Sequence, residues 1–205
     1  IRDLTVTGVQ TCALPIFDVD AVQVWEPLQA GLHQETHPNI GYGGKWTAYA
    51  STYANGGTLQ YTNRTDATAQ FLFEGVGLTL YRTRSIYRGM MEICVDGVCK
   101  SVDNYSATTS WNSPWTWPDI LENGMHMVTI RPAVANAYID MDAVLVQGGV
   151  VTIQKTGTGT GIITVGESVC NAACTEFQVP IIAGVTLSVT AAPSEGSTFV
   201  GWTLN

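Results

Sequence analysis

Tryptophan and arginine residues concentrate in the middle of this chain, in a pattern suited to holding a small polar ligand. Three of the six tryptophans lie in one segment, WNSPWTWPD, and four of the nine basic residues are arginines at positions 64, 82, 84 and 88. Aromatic faces pack against apolar surfaces, while arginine forks donate hydrogen bonds to hydroxyls or carboxylates. The candidate ligand-binding residues are Arg64, Arg82, Arg84, Tyr87, Arg88, Tyr105, Trp111, Trp115 and Trp117.

The four cysteines beyond residue 17 form two closely spaced pairs. Cys94 and Cys99 flank the Asp-Gly pair at 96–97, the preferred sequence for a two-residue hairpin turn. Closing that turn sets the two cysteines opposite each other at a non-hydrogen-bonded position, where Cα atoms lie about 4.5 Å apart. We predict a disulfide there and a second one between Cys170 and Cys174, which suits an oxidising compartment. The spacings differ from those of a four-cysteine zinc site.

Two aspartates near residue 140 are candidates for a metal site. Asp140 and Asp142 are two apart in a predicted strand, so alternation places them on one face. With Glu26 or Glu35 they could hold a structural calcium ion. Calcium takes six to eight oxygen ligands, and the sequence identifies few of them. We therefore predict no cofactor, with calcium as the weaker alternative.

The sequence contains no recognisable catalytic set. It has no Gly-x-Ser-x-Gly segment, and no serine or cysteine has a plausible histidine partner. His126 alternates with apolar residues, which predicts a packed histidine. A pair of carboxylates for glycoside hydrolysis has no spacing signature, so this alternative stays open. We predict that the chain is not an enzyme.

Short segments rich in β-formers, separated by turn residues, predict an all-β chain. No window has a sustained helical period, and many short strands at this spacing are typical of a β-sandwich or barrel. The predicted strands are 56–62, 68–74, 76–82, 90–95, 98–103, 126–131 and 138–146.

The predicted strand order brings most candidate ligand-binding residues to one end of the sandwich. Strands joined by tight turns alternate in direction, so connections 63–67, 83–89 and 104–118 all lie opposite the turn at 96–97. Aromatic rings and convergent polar groups at one end are what a small-ligand site requires, and such rings suit the apolar face of a sugar. The alternative is that the tryptophans only cover a sheet edge, with the prolines keeping that edge unpaired.

Four segments together resemble galactose-binding-like jelly-roll modules of extracellular bacterial proteins. They are GYGGKWTAYAS, ATAQFLFEGVGLTLY, EICVDGVCKSVDNYSATT and YIDMDAVLV. The resemblance covers about residues 25–146 and implies a jelly-roll β-sandwich. Such modules often stand beside glycoside hydrolase or peptidase domains. Many of them are named carbohydrate-binding on fold alone, so the resemblance says less about the ligand.

After a linker at 147–149 the composition changes to threonine, glycine and valine. Residues 150–205 resemble a divergent internalin B-repeat-like module through KTGTGTG, the Cys-x3-Cys loop, TLSVTA and the closing FVGW. The resemblance implies a small β-rich spacer or adhesive stalk unit, which we expect to be truncated at its C-terminal end.

The first residues of the chain have a different character. Residues 1–16 resemble a translated sequencing adapter, as in a metagenomic library artefact. Residues 1–3 and 6–16 match the two constant parts of the adapter, and residues 4–5 correspond to the index sequence between them. A genuine N-terminal strand is the alternative. Residues 17–24 (FDVDAVQV) echo 139–146 (IDMDAVLV), so we predict that they are the last strand of a preceding repeat in a tandem array.

Charge and composition exclude several partners. The net charge of −8 without a basic run argues against nucleic acid and anionic membranes. No apolar stretch approaches the roughly 20 residues that cross a bilayer. The sequence therefore predicts a secreted or cell-surface, carbohydrate-binding-like module whose partners are a glycan and neighbouring domains of the same chain. A structural array without a sugar site is the alternative, and a glycoside hydrolase or peptidase fragment is less favoured.

Overall fold

The structure is a computed structural model that describes residues 26–182 and 185–203. The predictions about residues 1–16 and 17–24 lie outside this range. Apart from one turn of 3-10 helix at Asn55–Gly57, every regular element in the described part of the chain is a β-strand, which confirms the all-β prediction. None of these elements is a helix with the length and apolar character that a bilayer span requires.

Seventeen strands follow one another along the described chain. In order they are β1 (Gly31–Gln34), β2 (Gly41–Gly43), β3 (Thr47–Ala50), β4 (Thr58–Thr62), β5 (Thr68–Gly75), β6 (Gly77–Arg84), β7 (Met90–Val95), β8 (Val98–Asp103), β9 (Ser110–Thr116), β10 (Gly124–Pro132), β11 (Ile139–Met141), β12 (Ala143–Gln147), β13 (Gly149–Gln154), β14 (Gly161–Val165), β15 (Ser168–Cys170), β16 (Glu176–Ile181) and β17 (Val189–Pro193).

The first twelve strands form a β-sandwich with an additional small sheet. Its sheets have the strand orders β2-β5-β10-β7-β8, β1-β12-β6-β9 and β11-β4-β3. Alternate residues of the two larger sheets are buried in one shared hydrophobic core that includes Phe71, Phe73, Leu80, Ile93 and Val144. The period of two follows from the strand itself, because successive side chains point to opposite faces.

The hairpin of β7 and β8 has the register that the turn sequence predicted. Val95 pairs with Val98 and Cys94 with Cys99. The Cys94–Cys99 disulfide is formed, with Cα atoms 4.0 Å apart, and so is the Cys170–Cys174 disulfide, with Cα atoms 5.4 Å apart. Val98 was expected on the core face but is 58% exposed, at the first position of the edge strand β8.

The segment 104–118 is not one long connection. Residues 110–116 form β9, which pairs with β6 and returns toward the opposite end of the sandwich. These residues were predicted to lie in a connection, and Pro114 has no backbone N–H to donate. Because β9 is an edge strand with β6 as its single neighbour, a proline is tolerated there.

The predicted strand 138–146 is two strands in different sheets. β11 pairs with β4, and β12 pairs with β1 and β6, with Asp142 at the break between them. The expectation that Asp140 and Asp142 share one strand face is therefore wrong. The chain changes sheets between them, and each carboxylate has its own surroundings.

A buried histidine connects the 96–97 turn to β10. His126 is 8% exposed, with its ring 5.1 Å from the ring of Phe73. Its Nδ1 lies 2.6 Å from Asp96 Oδ2, and its Nε2 lies 2.8 Å from the Glu122 carbonyl oxygen. Asp96 Oδ1 also accepts a hydrogen bond from the Met127 amide. The prediction of a packed histidine is confirmed.

We expect the difference in unfolding free energy between the protein and its His126→Gln variant to depend on pH. Burial by itself lowers the pKa of His126, but the bonds to Asp96 and Glu122 outweigh it, so the net pKa is raised. Burial likewise opposes ionisation of Asp96, yet the bonds from His126 and Met127 leave its pKa lowered. The contribution of His126 to the free energy of unfolding is complete below the pKa of an unfolded histidine. It is lost as pH rises through the raised pKa of His126 in the folded protein. The aspartate contribution is lost as pH falls through its own folded value.

The pair should therefore stabilise most between about pH 4 and pH 6.5, the ordinary pKa values of the two groups. Urea unfolding of both proteins from pH 4 to pH 9 measures the difference. It should be largest near pH 5.5 and smaller by pH 8. A difference that stays constant over this range would show that the pair acts through packing alone.

The last five strands form two further sheets, β13-β16 and β15-β14-β17, around a second and smaller hydrophobic cluster. The Cys170–Cys174 disulfide lies at this cluster, because Cys170 is buried within it. Gly161 allows a close approach of two strands: a Cβ at that position would lie 2.7 Å from the Ala192 carbonyl oxygen. Among the described residues, these sheets share no strand with the sandwich.

Candidate functional site

Two of the predicted loops lie together at the end of the sandwich away from the 96–97 turn. The Ser106 amide donates to the Ser85 carbonyl oxygen at 3.2 Å, which joins the segments 104–109 and 83–89. Arg84 pairs with Ser110 in the β6–β9 ladder, so Arg84 lies one residue from the level of Trp111. Arg84 Nη2 also donates to the Tyr105 carbonyl oxygen at 3.1 Å. The structure thus brings Arg84, Tyr105 and Trp111 to one end.

Five aromatic side chains follow one another across this end, and we call them the aromatic row. The ring centroids of Tyr53 and Trp111 are 6.0 Å apart, and those of Trp111 and Tyr49 are 6.3 Å apart. Tyr49 and Tyr61 are 6.5 Å apart, and Tyr61 and Tyr138 are 5.8 Å apart. Trp111 is nearly parallel to Tyr49, with 12° between their planes. Tyr53, Tyr49 and Tyr138 are 70%, 48% and 37% exposed. The row therefore presents aromatic surface to solvent.

The row is carried by the three-stranded sheet and by β9. β3 is the edge strand of the sheet, and all four of its residues are exposed. It holds Tyr49, and its Thr47 pairs with Tyr61 of β4. Tyr61 in turn pairs with Asp140 of β11. Trp111 comes from β9 and packs against these tyrosines from a different sheet.

A cleft of about 280 Å³ adjoins the row, and we call it the basic cleft. Thr62 joins its two sides: its Oγ1 donates to the Lys45 carbonyl oxygen at 2.8 Å and accepts from the Arg64 amide at 3.1 Å. Tyr61 and Tyr138 belong to both the cleft and the row, so the two features are continuous. The cleft is lined by Lys45, Thr47, Tyr61, Thr62, Asn63, Arg64 and Tyr138.

Two of the predicted ligand-binding arginines are bonded inside the protein. Arg82 is 5% exposed, and it donates to Asn104 Oδ1 at 2.7 Å and to the Ser113 carbonyl oxygen at 2.9 Å. Burial, with a smaller contribution from the Arg84 charge, lowers the pKa of Arg82 to about 10. The Arg88 Nε group donates to the buried carboxylate of Asp140. Both arginines hold the loops of this end in place, and their guanidinium groups already have protein partners.

Two of the predicted tryptophans lie away from this end. Trp115 pairs with Leu80, and the Trp117 amide donates to the Leu78 carbonyl oxygen, both toward the start of β6. Trp117 is 4% exposed and belongs to the hydrophobic core, with Trp115 packed against it at 6.0 Å. Their expected position was wrong because β9 carries the chain away from Trp111.

The remaining predicted residues are at the surface, and several residues of the site were not predicted. Arg64 lines the basic cleft, and Tyr87 is 72% exposed in the 83–89 loop. The sequence signal that was missed is the tyrosine-rich stretch WTAYASTY, which supplies two rings of the row. The residues that sequence reasoning missed are Lys45, Tyr49, Tyr53, Tyr61 and Tyr138.

Comparison with known proteins finds similarity only among solved structures. No family model matches the chain, and neither does any curated protein sequence. Among solved structures it is similar to a family 35 carbohydrate binding module from Clostridium thermocellum, with 18% identity and a TM-score of 0.44 over 55% of this chain and 95% of that one.

Two enzymes with similar regions were also found. One is a two-domain esterase active on acetylated mannans, with 19% identity and a TM-score of 0.45 over 56% of this chain and 36% of that one. The other is an exo-β-1,3-galactanase from Phanerochaete chrysosporium, with 16% identity and a TM-score of 0.41 over 57% of this chain and 29% of that one. The match therefore spans about a third of the length of these enzymes.

Oxygen atoms without a partner cluster at the break between β11 and β12. Glu35 is 1% exposed and Asp142 is fully buried, and the Glu35 amide donates to the Asp142 carbonyl oxygen at 3.1 Å. One carboxylate oxygen of Glu35 accepts a hydrogen bond from the Thr58 hydroxyl at 2.5 Å. One carboxylate oxygen of Asp142 accepts a hydrogen bond from the Asn55 amide at 3.1 Å. The other oxygen of each carboxylate has no hydrogen-bond partner, and neither does Gln34 Oε1.

This cluster fits a calcium ion better than the predicted pair of aspartates does. Burial, reinforced by the charges of Asp140 and Glu35, raises the pKa of Asp142 to about 6, so the two neighbouring carboxylates lack a compensating cation. Oxygen atoms of carboxylates and amides are calcium ligands. Asp140 is excluded because its two oxygens accept from Arg88 and from the Thr83 amide. Glu35, Asp142 and Gln34 are therefore the residues that would hold the ion.

A glycine turn brings the chain close to this cluster. Gly56 has φ +67°, and a Cβ there would lie 2.3 Å from Gln34 Oε1. Its neighbour Asn55 donates to Asp142 and accepts from Gln34 Nε2 at 3.0 Å. Asn55 is also within 3.4 Å of Asn112, next to Trp111. The acidic cluster thus supports the loops that carry Tyr53 and Trp111.

Proposed function

We propose that this chain contains a non-catalytic module that binds a glycan across the aromatic row. The observation that carries the proposal is the continuous series of rings from Tyr53 to Tyr138, of which Tyr53, Tyr49 and Tyr138 are exposed. Soluble proteins rarely expose contiguous apolar surface without a partner for it. The similar solved structures carry no part of this argument, which depends on the residues of this chain.

Aromatic rings and flanking polar groups match the two sides of a sugar. The ring faces pack against the apolar C–H side, while hydroxyl groups require donors and acceptors at the edge of the site. Arg84 lies beside Trp111, and Asn63, Thr47 and Lys45 lie beside Tyr61. An open surface of this kind binds weakly at each site, and tandem copies would raise the overall affinity.

The side chains around the row support a role without catalysis. In the structure of residues 26–182 and 185–203, no histidine is hydrogen-bonded to a serine or cysteine. The buried carboxylates of Glu35, Asp140 and Asp142 lie beneath the surface and are not open to a ligand. A screen of this chain against glycosides and acetylated glycans should detect no turnover.

We further propose that the protein is secreted or displayed at a cell surface. The two disulfides support an oxidising compartment. In this proposal the strands from β13 to β17 form a spacer or stalk unit that follows the glycan-binding module. Exposed apolar side chains that follow β17, such as Val200 at 98% and Trp202 at 49%, favour a second role in contacts between proteins.

Trp111→Ala is expected to weaken glycan binding by about tenfold or more, since it removes the ring that stacks on both Tyr49 and Tyr53. Affinity electrophoresis against a panel of soluble plant and microbial polysaccharides measures retention. Trp202→Ala is the matched control, because it removes an equally large exposed ring that is outside the row. If the protein is retained by no polysaccharide and Trp111→Ala changes nothing, the structural-array alternative is correct.

A further inference from the structure

The basic side chains of this acidic protein are distributed unevenly between internal bonds and the surface. Of its nine lysines and arginines, Arg2 lies outside the described residues. Seven of the other eight are bonded to acidic groups or to backbone and amide oxygens, namely Arg64, Arg82, Arg84, Arg88, Lys100, Arg131 and Lys155. The eighth is Lys45, which lies with Arg64 at the end that carries the aromatic row.

The basic cleft places two of these charges against aromatic walls. Lys45 and Arg64 line the cleft together with the rings of Tyr61 and Tyr138. The buried Thr62 fixes both backbones by bonding to the Lys45 carbonyl oxygen and the Arg64 amide. The fold therefore sets the backbone positions from which the two charged side chains extend.

Neither charge is strongly engaged within the described part of the protein. Lys45 makes no ion pair there, and Arg64 pairs with Asp66 at 3.4 Å, with the two side chains 61% and 72% exposed. Exposed pairs of this kind contribute little, since water and salt screen them. An anionic group on a ligand could therefore replace Asp66 as the partner of Arg64. The nearby carboxylate of Asp140 does not compete, because it is buried against Arg88.

We propose that the basic cleft is a subsite for an acidic sugar, so that the glycan on the aromatic row carries carboxylate or sulfate groups. This inference rests on the proposed function, because the aromatic row binds the sugar rings of the glycan and the basic cleft binds its charged group. Arginine forks and lysine ammonium groups both bind oxyanions, the former in a fixed planar geometry. A net charge of −8 repels any polyanion at long range, so the recognition acts at short range and is measured at a salt concentration that screens this repulsion.

Matched pairs of polymers test the subsite. Three acidic polymers are used, namely polygalacturonate, polymannuronate and polyglucuronate. Each is immobilised in three forms: the acidic polymer itself, its carboxyl-reduced form, and a sulfated derivative of that reduced form. Binding is measured by interferometry at about physiological salt, where surface charges act over roughly 8 Å. The protein should bind at least one acidic polymer about tenfold more tightly than its reduced form. Carboxylated and sulfated polymers then distinguish the two sources of the charge.

Charge-matched variants separate the cleft from the overall charge. Lys45→Gln with Arg64→Gln should abolish the preference for the acidic polymer, so that the acidic and reduced polymers bind with equal affinity. Lys100→Gln with Arg131→Gln removes the same net charge elsewhere on the sandwich and should keep the preference.

Three results would count against the subsite. Equal binding of acidic and reduced polymers would overturn it and leave the proposed function intact. Loss of the preference in both double variants would assign the effect to net charge, which also overturns the subsite. No binding to any polymer, with Trp111→Ala also without effect, would overturn the proposed function itself.

Discussion

Arg88→Met is expected to lower the free energy of unfolding by about 3–5 kcal/mol, because it leaves the Asp140 carboxylate buried without its cation. The Asp140 side chain is fully buried, and its two oxygens accept from Arg88 and from the Thr83 amide. Burial raises the pKa of Asp140, and Arg88 is the largest opposing influence. Equilibrium unfolding in urea, followed by tryptophan fluorescence, measures the loss.

A second substitution shows whether the loss comes from the unpaired charge. Arg88→Met combined with Asp140→Asn keeps an acceptor for the Thr83 amide but removes the charge, so it should recover about half of the lost stability or more. The loss in Arg88→Met alone should also shrink as pH falls toward 4. The unpaired carboxyl has a raised folded pKa, so its penalty applies above that pKa and disappears when the group is protonated. A double variant as unstable as the single one would contradict this account.

The elements that could be predicted from the sequence are those specified by neighbouring residues. The Asp-Gly turn at 96–97 fixed the register of β7 and β8, and with it the Cys94–Cys99 disulfide. The alternation of His126 with apolar residues in β10 identified it as a packed histidine, because strand periodicity is a local property. The alternation in direction of consecutive strands was enough to place Arg84, Tyr105 and Trp111 at one end.

The errors arise where distant parts of the chain decide the structure. The 110–116 segment was assigned to a connection, but whether a segment with a proline forms a strand depends on whether that strand lies at an edge. The break at Asp142 depends on which sheet receives each half of the segment. The local sequence does not distinguish the buried Arg82 from an exposed arginine, because only the fold brings Asn104 and Ser113 against it.

The aromatic row could not be derived from the sequence for the same reason. Tyr49 and Tyr53 meet Trp111 across about sixty residues of chain, through strands that belong to different sheets. Tyr138 reaches Tyr61 only because β11 pairs with β4. No local pattern marks these pairings. The sequence therefore indicated the end of the sandwich that holds the candidate site, and the fold supplied most of its surface.

Calcium is expected to raise the thermal unfolding midpoint of the sandwich by on the order of 10 °C. An ion present at about 100 times its dissociation constant stabilises the folded state by about 2.7 kcal/mol, and 1 kcal/mol shifts the midpoint of a domain of this size by several degrees. The oxygens that would bind it are the unpartnered ones of Glu35, Asp142 and Gln34. Differential scanning calorimetry with calcium and with a chelator measures the shift.

Substitutions at the acidic cluster test the assignment of the ligands. Glu35→Gln and Asp142→Asn should each remove most of the calcium response, since each replaces a charged oxygen donor by a neutral amide. Glu122→Gln, at an exposed glutamate outside the cluster, should keep the full response. Magnesium should give a smaller shift than calcium, because it requires a more regular octahedral set of ligands and loses its water reluctantly. An equal calcium response in all three variants would place the ion elsewhere, and no response in the unaltered protein would show that the two buried carboxylates are held without a metal.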